Sequence, residues 1–239
     1  MSVKADKLHR WDVTATEAVE IQKRLAARVS RVNEVNNPRF IAGVDISALK
    51  QRGAATGSVV VLSYPDLDPV EVKVLTTEVT FPYVPGLLSF RESPILLAIF
   101  EELENTPDLI LVDGQGIAHP RRLGIASHLG LWLDTPAIGC AKSRLTGTHG
   151  AVGEETGSYA ELMDENGEVI GAALRTKAGS RPVFISIGHR VDLPAVVGWV
   201  LACCRSHRLP EPTRLAHIAA GGGRIETALQ EKGLLPRRR

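Results

Sequence analysis

The chain has 239 residues, 44% of them hydrophobic and 23% charged, a balance that excludes disorder throughout its length. Its 28 Lys+Arg against 27 Asp+Glu leave a formal charge of +1, so attraction for nucleic acid would have to come from a local patch. The three cysteines lack the spacing of a metal-binding knuckle, which suits a reducing compartment. No run reaches the roughly 18 apolar residues of a membrane helix, and the N-terminal residues lack the pattern of a secretion signal. We therefore expect a cytoplasmic protein.

The first part of the chain predicts a helix followed by an antiparallel meander. Apolar residues recur at helical spacing over 15–32, and Thr14 and Glu17 have the spacing of a capping box at its start. The run 36–38, Asn-Asn-Pro, should end this helix. Three strand-like runs follow, at 40–48, 58–63 and 70–80. Their short connections favour antiparallel pairing of neighbours.

The second part of the chain alternates helices with strands. In chain order we predict a helix at 95–104, a strand at 108–113, a helix at 121–133, strands at 137–141, 169–175 and 182–188, and helices at 193–204 and 213–220. Alternation at this spacing builds right-handed βαβ units. The prediction is an α/β protein with a mixed sheet and helices on both faces, which is the order of the RNase H-like fold. We expect a single domain over 1–239, with a flexible tail from about 221.

Two aspartates lie where strands would carry them to a ligand site. Asp45 interrupts the apolar strand 40–48, and an ionised carboxylate there needs a partner or a metal ion. Taken alone, pairing with an arginine would be the better interpretation. Asp113 closes the apolar run 109–112 and would lie at the carboxyl end of a parallel strand, where open α/β sheets place their ligands. This second carboxylate strengthens the metal interpretation.

The position of Glu92 depends on which residue caps the helix beside it. Ser89 and Glu92 have the spacing of a capping box, which would make the glutamate structural. Alternatively Ser93 is the N-cap and Pro94 the first helical residue, and Glu92 points toward the end of the sheet. We favour the second arrangement, because Pro94 would otherwise remove a helical hydrogen bond. Three carboxylates without a cysteine cluster then predict a Mg²⁺ or Mn²⁺ site.

Basic residues follow both of the predicted central strands. Lys142 ends the run from 138 and should neighbour Asp113, where it would either pair with a carboxylate or contact a phosphate. Arg121 and Arg122 are expected in the first turn of a helix, where they would oppose the helix dipole unless an anion lies near.

The run 81–86, Phe-Pro-Tyr-Val-Pro-Gly, holds Tyr83 on a stiff loop between two prolines. Such an aromatic residue can cap the core or insert between stacked bases. On these residues alone, core capping is the favoured interpretation. His189 and His217 are each weak signals, because a single histidine is more often structural than a ligand.

Together these motifs resemble the endonuclease V family of metal-dependent DNA repair nucleases. The matching runs are 41–45, 81–92, 108–130, 138–145, 188–190 and 209–214. They extend from Phe40 to His217 and so cover nearly the whole chain apart from its ends. Gln115 departs from the family pattern, which often has His or Asn there, but the flanking Asp113, Gly114 and Gly116 are kept.

The resemblance implies an RNase H-like fold, a Mg²⁺ cofactor for which Mn²⁺ can substitute, and hydrolysis of the second phosphodiester bond 3′ to deoxyinosine in DNA. It implies that the metal is held by Asp45, Glu92 and Asp113, with His217 as a further ligand. It places two residues near the scissile phosphate, Lys142 and His119. The DNA wedge would consist of Pro82, Tyr83, Val84 and Pro85. The lesion pocket would be lined by Gly114, Gly116, Gly124, Ile125 and Leu145.

Two other functions compete with this prediction. One is a nuclease of the same family that acts chiefly on inosine in RNA, because no residue in the sequence identifies a contact to a 2′-hydroxyl. The other is a module that binds lesions without cutting, which loss of one acidic position would favour, but all three acids are present. The expected partner is DNA containing deoxyinosine, with inosine-containing RNA as the alternative, and we expect neither a membrane nor an obligate protein partner.

Overall fold

The computed structural model describes residues 8–48 and 53–223. The strands are β1 Phe40–Ala48, β2 Ala54–Ser63, β3 Pro69–Glu78, β4 Leu109–Val112, β5 Ala137–Ala141, β6 Thr148–His149, β7 Tyr159–Met163, β8 Val169–Leu174 and β9 Val183–His189. The helices are α1 Ala15–Ala26, α2 Leu88–Glu101, α3 Ile125–Leu133, α4 Leu193–Ala202 and α5 Glu211–Ala220. Among these residues, no helix is both long and apolar enough to cross a membrane. The predicted tail, including the basic run 236–239, lies outside the described residues from 224 onward.

The nine strands of the described residues form one sheet, in the order β3-β2-β1-β4-β5-β9-β8-β7-β6. Its centre is parallel, because β4 pairs in parallel with both β1 and β5. On either side, β2 and β9 run antiparallel to β1 and β5. Apolar clusters cover both faces, one built with α4 and α5 and the other with α2 and α3. The predicted α/β fold, a meander followed by βαβ units with helices on both faces, is confirmed.

Helix α1 begins as predicted but ends earlier. Thr14 Oγ1 accepts a hydrogen bond from the Glu17 N–H at 3.3 Å, and a Glu17 carboxylate oxygen accepts one from the Thr14 N–H at 2.8 Å, so the capping box is confirmed. The prediction that helix extends to 32 is wrong. Beyond Ala26 the backbone bonds instead with the turn after β9, where Ser30 O accepts from the Arg190 N–H at 2.9 Å. These tertiary hydrogen bonds override the helical periodicity.

Helix α2 shows that the favoured arrangement around Glu92 is wrong. The helix begins at Leu88, its N-cap Leu87 forms no side-chain cap hydrogen bond, and Pro94 lies inside it. The hydrogen bond that an internal proline removes costs about 3 kcal/mol. Of the large apolar side chains that α2 buries, only Phe90 precedes Pro94, and its burial against Phe81 and His128 contributes about 1.5–3 kcal/mol. This burial offsets the cost of the proline, and Glu92 lies on the helix rather than ahead of it.

Two further differences concern the loops around the central strands. Helix α3 begins at Ile125, so Arg121 and Arg122 lie in the preceding loop and not in a helical first turn. Strand β7 was not predicted, because three of its five residues are exposed, which leaves it without an apolar pattern; it lies between β8 and the two-residue edge strand β6. The dipeptide at 166–167, Asn-Gly, which is typical of tight hairpins, is the sequence signal that marks its connection to β8.

Candidate active site

Asp45, Asp113 and His217 meet at the carboxyl end of the central parallel strands. Asp45 lies on β1, and Asp113 directly follows β4, where its N–H donates to Val44 O at 3.1 Å. From α5, His217 Nδ1 lies 2.9 Å from Asp45 Oδ2. One ligand atom from each of the three residues lies within 4.8 Å of the others. The structure thus brings together three of the four predicted metal ligands.

Gly43 allows α5 to approach β1 closely enough for this contact. A Cβ atom at position 43 would lie 2.0 Å from the carbonyl oxygen of Pro212, in the first turn of α5. Any side chain at this position would therefore displace the helix. The absence of a side chain two residues before Asp45 is what lets His217 reach that carboxylate.

Burial and mutual repulsion perturb the acidic groups. Burial raises the pKa of Asp45 to about 6, with a further rise from the neighbouring Asp113 carboxylate. Burial also raises the pKa of Glu92 to about 8, to which the charges of Asp45 and Asp113 contribute. Glu92 therefore lies near both aspartates, although it is not part of the group whose ligand atoms lie within 4.8 Å.

This set of donors fits a divalent cation. Carboxylate oxygens with one imidazole nitrogen are ligands that Mg²⁺ and Mn²⁺ accept. Buried carboxylates that repel each other lose that repulsion when a cation lies between them. Asp45, Asp113 and His217 would hold the ion directly, and Glu92 is the nearby carboxylate able to complete the site.

Lys142 lies beside Asp113, as predicted. Its ammonium group forms an ion pair with Asp113 Oδ2 and lies 3.2 Å from His217 Nδ1. Arg208 holds the backbone of this residue, since its Nη2 donates to Lys142 O at 2.8 Å. The lysine side chain is partly exposed, so the same charge can contact an incoming phosphate.

A cavity of about 390 Å³ opens next to Asp113 and Lys142. Its size falls within the range of small-molecule sites in proteins. The predicted pocket and wedge residues that line it are Gly114, Gly124, Ile125, Leu145, Tyr83, Val84 and Pro85. Gly116 lies behind the wall instead, where a Cβ atom would meet Ile187 O at 2.0 Å, and Pro82 does not border the cavity.

Gln115 lies in the cavity wall with one half of its amide unsatisfied. Nε2 donates to Ser143 O at 2.9 Å, which fixes the orientation of the amide. The buried Oε1 has no hydrogen-bond partner among residues 8–48 and 53–223. A buried acceptor without a donor costs about 1–3 kcal/mol. Less than 1 Å² of this oxygen is accessible, so it is closed off from the open cavity.

Tyr83 lies at the rim of the cavity with 73% of its surface exposed, so the core-capping interpretation is wrong. The preceding aromatic residue, Phe81, is the buried one. Arg91 Nη1 donates to Phe81 O at 2.8 Å and so ties the start of the loop to α2.

His119 also borders the cavity, but both of its ring nitrogens are engaged by protein groups. Nδ1 accepts from the Arg121 N–H at 3.1 Å, which leaves Nε2 protonated to donate to Gly86 O at 3.0 Å. Burial, followed by the charge of Arg121, lowers the pKa of His119 to about 4.

Arg122 pairs with Asp164 and Glu168, so the predicted anion near it is supplied by the protein itself.

Comparison with known proteins supports one assignment. The sequence model of the Endonuclease V family matches residues 23–218. An endonuclease V of Dehalococcoides mccartyi is 52% identical over 92% of this chain and 98% of its own length. The crystal structure of endonuclease V from Streptomyces avermitilis has a TM-score of 0.84 and 39% identity, and covers 98% of this chain and 100% of that one. The class is therefore a nuclease with an RNase H-like fold.

A third likeness bears on substrates. Endonuclease V of Ciona intestinalis, solved in complex with a 24mer DNA containing an inosine followed by a ribo-adenosine, has a TM-score of 0.73 and 26% identity, over 91% of this chain and 98% of that one. The protein described here belongs to the endonuclease V family, whose members are DNA repair endonucleases. All of the predicted site residues fall within the matched range 23–218.

Proposed function

We propose that this protein cuts DNA that contains deoxyinosine, by hydrolysing the second phosphodiester bond 3′ to the lesion with the help of Mg²⁺ or Mn²⁺. The observation that carries the proposal is the group Asp45, Asp113 and His217 beside a cavity whose rim bears the exposed Tyr83. The inosine in the DNA bound by the Ciona enzyme supports the choice of lesion. The position of the cut rests on the resemblance of the motifs to the family.

The acidic residues and His217 are proposed to hold the metal, and Lys142 to bind the reacting phosphate. Asp45, Asp113 and His217 would hold a divalent cation here, whose positive charge would favour an in-line displacement at the phosphate. The Lys142 ammonium group lies in ion-pair contact with Asp113, so it is close enough to contact a phosphate that is bound at the metal site. Fixed charges aimed at the site of developing negative charge need no reorganisation during the reaction.

Tyr83 and the cavity are proposed to have separate roles in recognising the lesion: the tyrosine fills the space left in the duplex, and the cavity binds the extruded base. Extruding a base costs a few kcal/mol and is cheapest for a weakly paired base, and the exposed tyrosine can occupy the space that is left. Deamination of adenine replaces an amino donor at position six by an oxo acceptor and makes N1 a donor. A cavity wall that presents an acceptor to that N1–H would favour hypoxanthine, because adenine offers no donor there. We assign His119 no role at the phosphate, because both of its ring nitrogens are engaged.

Matched oligonucleotides test the proposal. Duplexes with inosine or adenosine at one position, in DNA and in RNA, are incubated with and without Mg²⁺, and the product ends are mapped to single nucleotides. We expect Mg²⁺-dependent cutting of inosine DNA one nucleotide beyond the lesion's own 3′ bond. Cutting confined to the RNA arm would favour the ribonuclease function, for which the ribo-adenosine in the Ciona complex is the supporting observation. Retention of inosine DNA without cutting would favour the binding module.

The remaining proposals concern organisation and location. A single sheet containing all nine strands supports one domain across the described residues. The three cysteines are unpaired, with Cys140 and Cys203 buried, which supports a reducing compartment and hence the cytoplasm.

A further inference from the structure

One backbone carbonyl at the end of the tyrosine loop accepts hydrogen bonds from three side chains. Gly86 O lies 3.0 Å from Gln22 Nε2, 3.0 Å from His119 Nε2 and 2.7 Å from Arg121 Nη2. The donors come from α1 and from the loop between β4 and α3, so they are remote in sequence from the loop that they hold. We call Gln22, His119 and Arg121 the loop clamp.

Gln22 connects two chain segments that line the cavity. Its Nε2 also donates to Leu123 O at 3.0 Å, and its Oε1 accepts from Arg121 Nε. Leu123 and the following Gly124 line the same cavity as the segment that carries Tyr83. The side chain of Gln22 is 1% exposed, so its amide has lost its hydration and depends on these partners.

The backbone at Gly86 is adapted to this convergence. Its φ of +79° lies in the left-handed region that favours glycine. A Cβ atom there would lie 2.7 Å from Arg121 Nη2 and 3.7 Å from His119 Nε2, so a side chain would push against the clamp. The loop therefore ends in a residue that can both turn the chain and expose its carbonyl to three donors.

We propose that the loop clamp is a positioning device which sets the distance between Tyr83 and the part of the cavity wall formed by Leu123 and Gly124. This proposal rests on the proposed function, because the clamp would hold Tyr83 where it can enter the stack of DNA bases while the extruded base enters the cavity. Holding a recognition loop in its bound conformation avoids an ordering cost at the moment of binding. Gln22, His119 and Arg121 act through the loop and are positioning residues rather than catalytic ones.

Hydrogen exchange in the free protein tests the clamp without any substrate. Within the loop, the Leu87 N–H donates to Val84 O at 2.9 Å and is the reporter amide. Gln22→Met keeps the side-chain volume and removes both halves of the amide. We expect exchange at Leu87 to become at least about tenfold faster. The matched control is Thr14→Ala, which removes the capping box at the exposed start of the same helix, and it should leave this amide unchanged.

Cleavage by the same variants tests what the clamp is for. Gln22→Met should slow single-turnover cutting of inosine in duplex DNA at least about tenfold, and change cutting of single-stranded inosine DNA by less than about threefold, because no base must be forced from a stack there. In a Tyr83→Ala background the same substitution should cause no further loss, since both changes remove one function. Thr14→Ala should lower Tm but preserve the ratio between the two substrates.

The proposal is overturned if Leu87 exchanges at the wild-type rate in Gln22→Met, or if the losses from Gln22→Met and Tyr83→Ala add independently. Should Gln22→Met fail to fold, Arg121→Met removes two donors from a partly exposed side chain and gives the same readouts. Wild-type protein that leaves every inosine substrate intact would refute the proposed function, whereas exchange at Leu87 would still decide whether the clamp exists.

Discussion

Replacing Asp45 by asparagine should stabilise the metal-free protein while it abolishes cleavage. The pKa of Asp45 rises from 3.8 to about 6 on folding. Since each pKa unit corresponds to about 1.4 kcal/mol, the ionised carboxylate destabilises the fold by about 3 kcal/mol at neutral pH. Asparagine loses about 1 kcal/mol of the hydrogen bond with His217. The net gain of about 2 kcal/mol predicts a rise in Tm of about 4–8 °C for a chain of this size.

The effect should depend on pH with a defined sign. Because the pKa of Asp45 is higher in the folded state, folding retains a proton, and the stability of the wild-type protein falls as pH rises from 3.8 toward 6. The advantage of Asp45→Asn should therefore vanish near about pH 4 and be complete near about pH 7. Thermal unfolding in EDTA at both pH values measures it.

Two further arms distinguish this reasoning from a general effect of lost charge. Mg²⁺ should raise the Tm of the wild-type protein at neutral pH and raise that of Asp45→Asn far less, because a ligand stabilises only the state that binds it. Asp164→Asn is a control of opposite sign. Burial acts to raise the pKa of Asp164, but hydrogen bonds from the N–H groups of Glu168 and Asn166 lower it overall. The ionised carboxylate therefore stabilises the fold, and Asp164→Asn should destabilise it. A lower Tm for Asp45→Asn in EDTA would refute the electrostatic account of the site.

Three other substitutions separate the parts of the site. Lys142→Ala should slow single-turnover cutting by about 10²–10³-fold, with a much smaller change in binding to inosine DNA in Ca²⁺, and an unchanged rate would leave this lysine as a structural ion pair. Tyr83→Ala should reduce the preference for inosine over undamaged duplex with little change in Tm, because the side chain is exposed. A large fall in Tm with the preference intact would contradict the wedge. Gln115→Leu removes the hydrogen bond to Ser143 O in the cavity wall and should lower discrimination between inosine and adenosine in binding assays, and undiminished discrimination would show that this hydrogen bond does not shape the pocket.

Much of the sheet and its acidic edge follows from local patterns. Strand β1 has the predicted bounds, and the rule that ligands lie at the carboxyl ends of parallel strands predicted that Asp113 and Lys142 would be neighbours. These predictions succeed because each depends on a short run and on a general property of α/β sheets. The metal cluster needed one more step, since His217 reaches Asp45 from a distant helix, and only the family resemblance indicated it.

The parts that could not be predicted depend on contacts between distant segments. Pro94 marks a helix start by local rules, but burial of the apolar side of α2 decides otherwise. Gln22 lies at helical spacing on the buried face of α1, a signal that a polar group is needed there. Its partners Gly86 and Leu123 lie 64 and 101 residues away, so no local pattern identifies them. The prediction that His119 lies near the phosphate has the same origin. The partner of its Nε2, Gly86 O, lies 33 residues away, so the sequence around His119 does not show that this nitrogen is engaged.

The position of His217 depends on Gly43, a residue that contributes no side chain to the metal site. Replacing its hydrogen by any larger group would force Pro212 outward, and the helix that carries His217 would move with it. Because the clash is with backbone atoms of residue 212, no substitution there would relieve it, and position 43 should remain glycine among homologous chains that keep this histidine. A chain with a larger residue at position 43 and all its acidic residues intact would lack the imidazole at the ion, and inspection of its acidic motifs alone would not reveal the loss.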